Sequence, residues 1–105
     1  MKPERLVEEL LEVARRCGIR IRRERGRFRG GYCIVREEKL ILLNRALPPE
    51  QMSLVLAEAL RYVPLDSIAL KPAVRAWLEQ AHAEVRHGEL LLDVSTPELM
   101  PTREQ

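Results

Sequence analysis

The chain has 105 residues, 46% apolar and 32% charged, with 18 basic and 16 acidic side chains. That length suits one domain with one core, and the apolar fraction excludes a disordered chain. Apolar runs stop at four or five residues, too short for a membrane span, and the N-terminal MKPERLVEELLEVARR lacks the apolar core of a signal peptide.

A cytoplasmic protein with no membrane partner is therefore expected. Its charge is unevenly spread: residues 1–45 carry thirteen basic and seven acidic side chains, residues 46–105 five and nine. Such a split suits a polyanion-binding surface or association between copies of the chain. Cys17 and Cys33 match no metal or redox spacing and read as small buried hydrophobes, with a disulfide between them the lesser alternative.

In chain order, Leu6, Val7, Leu10, Leu11, Val13, Ala14 and Cys17 recur at helical spacing after Pro3, and Gly18 stands where a left-handed cap belongs. The period then changes. Ile19 and Ile21 alternate with Arg20 and Arg22, the pattern of a strand running to about Glu24. Gly26, Gly30 and Gly31 punctuate a loop. Two further strands, 32–36 and 39–43, meet at a tight Glu37-Glu38 turn, so the three read as an antiparallel meander.

Leu47-Pro48-Pro49-Glu50 opens a second helix, in which Met52, Val55, Leu56, Ala59, Leu60 and Val63 form one stripe before Pro64 ends it. Pro72 opens a third helix, with Val74, Trp77, Leu78, Ala81 and Val85 on one side and Gly88 at its end. Glu89 to Val94 reads as a fourth strand or an extended arm. The tail from Ser95 reads as flexible.

Little in this pattern recommends catalysis. His82 and His87 lie five apart, on different sides of a helix, and the serines at 53, 67 and 95 lack a nucleophile elbow. The glycines fit no phosphate loop. Glu8-Glu9, Glu37-Glu38 and the Glu79 and Glu84 pair read as solvated carboxylates. Catalytic residues, metal ligands and cofactors are therefore expected to be absent.

The most pointed segment is RERGRFRGGY, residues 23–32. Eight arginines and one glutamate lie between Arg15 and Arg29, with Phe28 and Tyr32 offering flat faces on which bases could stack. Arg20, Arg22, Arg25, Arg27 and Arg29 are the candidate polyanion-binding residues. Strand alternation divides the charge between two faces, however, and arginine-rich edges also serve to prevent aggregation. The solvated edge is the favoured reading, with binding of nucleic acid or another polyanion and an arginine-rich partner interface the alternatives.

The order of elements, with Leu40-Ile41-Leu42-Leu43-Asn44, then Leu47-Pro48-Pro49-Glu50, then Leu54 to Tyr62, resembles the core of ImmA/IrrE-type metallopeptidases. In that family a strand ending in Asn leads to a helix beginning Leu-Ala-His-Glu-Leu-Gly-His. The resemblance implies that Glu58 stands where the first zinc His belongs, Ala59 at the general-base Glu and Tyr62 at the second His. It therefore implies a fold without the catalysis. The chain also resembles short uncharacterised bacterial proteins with a Gly-Gly-x-Cys strand followed by Leu-Pro-Pro-Glu, here Gly30 to Cys33 and Leu47 to Glu50.

The expectation is an α+β domain over residues 1–94, ordered α-β-β-β-α-α. It has a small antiparallel sheet of three strands, or four if residues 89–94 add one, packed by three helices. The expected core is Leu6, Leu10, Val13, Ile21, Ile34, Ile41, Leu43, Val55, Leu56, Ala59, Leu60, Trp77, Leu78 and Ala81. The expected function is that of a non-enzymatic, self-associating interaction module, a homo-oligomer such as a dimer, with an apolar Leu90-Leu91-Leu92 segment that needs burial.

Overall fold

A computed structural model describes residues 1–84. Helix α1 spans Pro3–Arg16, followed by strands β1 (Arg20–Glu24), β2 (Gly30–Val35) and β3 (Glu38–Asn44) and helix α2 (Pro49–Leu60). A third helical segment, α3, occupies 72–84. The α+β class is as expected. The reading of residues 89–94, that of the tail from 95, and the roles of Val85, His87 and Gly88 fall outside the described residues.

Helices α1 and α2 begin with proline at their first or second position, where the missing N–H costs nothing. At the end of α1, Gly18 adopts φ +79°. Its N–H bonds the Arg15 carbonyl at 2.9 Å, and the next N–H, from Ile19, bonds the Ala14 carbonyl at 3.0 Å. This paired closure satisfies carbonyls the helix would otherwise leave open and turns the chain into β1. Helix α2 stops at Leu60, earlier than Pro64 alone requires. The N–H groups of Arg61, Tyr62 and Val63 reach back only three residues, a tightening that leaves the Ala57 carbonyl free to accept 2.8 Å from His82 Nε2 on α3.

The sheet departs from the expected meander. Its spatial order is β1-β3-β2, with β1 parallel to β3 and β2 antiparallel to it. The central position goes to β3, whose Ile41 and Leu43 are fully buried under the helices. The β1–β2 connection therefore crosses the end of β3. There the buried Asn44 donates from Nδ2 to the Gly26 carbonyl at 2.9 Å and the Phe28 carbonyl at 2.5 Å, while its Oδ1 accepts from the Ala46 N–H at 2.9 Å. One side chain thus satisfies two loop carbonyls that a five-residue crossing cannot pair with a strand. The β2–β3 turn lies one residue earlier than expected, on Arg36 and Glu37, with φ of 52° and 70°; Val35 pairs with Glu38.

Register places Ile21, Arg23, Ile41, Leu43, Tyr32 and Ile34 on one face of the sheet and Arg20, Arg22, Leu40, Leu42, Cys33 and Val35 on the other. Helices α1 and α2 pack on the first face, where Ile41 and Leu43 are fully buried together with Leu10, Leu11, Val55, Leu56 and Leu60. Val74, Leu78 and Ala81 bring α3 into the same cluster. Three expected core residues differ: Ile21 and Trp77 are only partly buried against the cluster, and Ile34 is 62% exposed. Val7, Leu11, Ala14, Ile19, Ala57 and Val63 are buried in addition. Ile34 faces the helical side but stands next to the hairpin turn, near the end of the sheet, with Lys39 opposite it.

Candidate functional site

The two edges of the sheet differ in chemistry. Strand β1 forms one edge and brings Arg20, Arg22 and Arg23, all exposed. Arg20 Nη1 donates to Glu38 at 2.9 Å, and Arg22 pairs with Glu24 on its own strand. Exposed pairs of this kind contribute little stability, but they neutralise part of the charge. Arg25 and Arg27 lie exposed in the crossing loop, and among the described residues neither they nor Arg23 form an ion pair. Phe28 is half-buried and lies against Gly26, where an added Cβ would sit 2.6 Å from its ring.

Arg29 parts from the group. Its Nη1 donates to Glu58 of α2 at 2.5 Å, with both side chains partly shielded from solvent. The five candidate arginines therefore divide: Arg20 and Arg22 on the helix-free face, Arg25 and Arg27 in the loop, and Arg29 tied to α2. Between Arg15, Arg20, Arg23 and Ile19 a shallow groove of about 590 Å³ follows the outer side of β1.

Strand β2 forms the other edge and carries no charged side chain from Gly30 to Val35. Ile34 and Val35 are 62% and 49% exposed. Beside them Tyr32 stacks on Tyr62, which follows α2, with ring centroids 5.3 Å apart and planes 8° from parallel. Stacking leaves one ring of the pair open: Tyr62 is 65% exposed. Glu58 and Tyr62 are four apart, one turn of the helix the sequence predicts, although α2 ends at Leu60. Their partners Arg29 and Tyr32 were not legible, because the pairing depends on which strand lies beside α2.

The positions aligned with a zinc centre are occupied differently. Glu58 holds Arg29, Ala59 is buried, and Tyr62 lies in the ring stack. These residues do not fit a zinc ion with an activating base. Among the described residues no group of three or more His, Cys, Asp or Glu side chains gathers to hold a metal, and no helix is long and apolar enough to cross a membrane. Cys17 and Cys33 are free thiols, each half-buried.

A second groove, of about 610 Å³, lies between α1 and the start of α3. Glu9 stands at its wall, accepting from Lys71 Nζ at 2.7 Å and from Arg5 Nε at 3.1 Å. The hydrogen bond from Lys71, reinforced by Arg5, holds its carboxyl below the usual glutamate range. Of the paired carboxylates, Glu9 is thus a structural tie between α1 and α3.

No family model, curated protein or solved structure matches the chain.

Proposed function

We propose that this protein is a small non-enzymatic interaction module that self-associates, as a dimer, through the β2 side of its sheet. One observation carries the reading. Of the four large apolar side chains left exposed among the described residues, Met1 begins the chain, while Ile34, Val35 and Tyr62 lie on β2 or follow the helix stacked against it. Ile34 and Val35 project from opposite faces of β2, so this edge is apolar on both sides within an otherwise charged surface, a feature that marks contact sites. The basic balance of residues 1–45 and the acidic balance of 46–105 add long-range attraction between copies. Light scattering over a concentration series tests it: a mass rising to that of a dimer is expected, and a strict monomer at high micromolar concentration overturns it.

A second reading, binding of nucleic acid or another polyanion, is favoured by the unpaired Arg23, Arg25 and Arg27 beside the β1 edge. It expects oligonucleotide binding at about 50 mM salt that weakens steeply at about 200 mM. It also expects a further loss when Arg25 and Arg27 become Ala. Absence of binding at the lower salt overturns it.

A further inference from the structure

We infer that the self-association surface is the β2 backbone edge, and that two copies pair there antiparallel about a two-fold axis to form one continuous sheet. The inference rests on the self-association reading above and specifies its geometry. In an antiparallel ladder closed by a two-residue turn, Val35 and Glu38 exchange bonds, and the pairs behind them alternate. Cys33 and Gly31 then bond β3, while Tyr32, Ile34 and Gly30 turn their N–H and C=O groups away from it. Among the described residues no backbone bond outside the regular elements reaches these three.

A free edge of this kind is a template for another strand, and folded proteins blunt it with charge, proline or bulges. Strand β1 is blunted by Arg20, Arg22 and Arg23; its own copy would be repelled. Strand β2 has no charged residue and no proline over Gly30–Val35. A second copy meets no like charge along it. Placing the axis at Tyr32 sets Ile34 of one copy opposite Gly30 of the other. The exposed Ile34 side chain then lies over a backbone with no side chain to obstruct it. The two Tyr32 rings, each backed by its own Tyr62, come side by side across the axis. The 3-stranded sheet becomes six-stranded, with order β1-β3-β2-β2-β3-β1.

The experiment is residue-resolved amide exchange on the full chain at low and high concentration, alongside light scattering. Cys33 and Val35 amides should be protected throughout, since they bond β3. Tyr32 and Ile34 amides should gain protection, by about tenfold or more, only as dimer forms. An Ile34→Pro variant removes an outward donor without touching the β2–β3 ladder and should weaken the dimer by about tenfold or more. Leu42→Lys, on the helix-free face, should leave the dimer intact. A dimer whose Tyr32 and Ile34 amides stay unprotected, or one broken by Leu42→Lys but not by Ile34→Pro, overturns this geometry while leaving self-association standing. A wild-type monomer overturns both.

Discussion

Gly30 adopts φ +111°, and a Cβ built there would collide with the Leu42 carbonyl oxygen of β3. Both the backbone angle and the space require glycine at the entry to β2. Gly30→Ala should cost on the order of 2 kcal/mol in urea unfolding, whereas Gly31→Ala, with nothing within 4 Å, should cost much less. Similar losses at both sites would refute the account. Glu9 makes a second residue-scale test. Its folded carboxyl titrates below the unfolded one, so its ties to Lys71 and Arg5 stabilise fully above the ordinary glutamate pKa and are lost as pH falls through the lowered value. Glu9→Gln should therefore show a smaller drop in stability between about pH 7 and about pH 3 than the wild type. Equal drops would show that Glu9 makes no such contribution.

The connections between elements carry strain and its relief. The β2–β3 turn places Arg36 and Glu37 at positive φ, a conformation that suits Asn and Gly far better. Replacing the pair with Asn-Gly should raise stability by about 1 kcal/mol in urea unfolding, with the strand register unchanged. A loss of stability would argue that the turn is held by contacts other than its own geometry. At the opposite end of the sheet, Asn44 ties the crossing loop down. Asn44→Ala strands the Gly26 and Phe28 carbonyls and the Ala46 N–H, and should cost about 2–3 kcal/mol. A change under about 0.5 kcal/mol would mean that water replaces those bonds without penalty.

For the whole molecule, the contrast between a charged edge and an apolar one governs what the surface can bind. The arginines of RERGRFRGGY are spread over the strand face, the crossing loop and α2, and Arg29 is already engaged by Glu58. Reversing the contrast tests its consequence. Ile34→Lys should place a positive charge on the β2 edge, as β1 already carries, and the light-scattering mass should shift toward monomer at every concentration. An unchanged mass would place the contact elsewhere.

The sequence by itself determined the elements and most of the buried residues. Helical and alternating periods are local, and Leu10, Val13, Ile41, Leu43, Val55, Leu56 and Leu60 sit where those periods put them. Only the tertiary structure decided which strands are neighbours, because a glycine-containing connection such as 25–29 can close a hairpin or cross over a third strand. That choice set the rest: Asn44 beneath the loop, Arg29 on Glu58, Tyr32 on Tyr62, and Ile34 outside the core rather than within it. Long-range pairing, unlike periodicity, depends on energies shared among segments far apart in the chain. The division of the arginines between surfaces was likewise decided by the sheet order and not by their spacing.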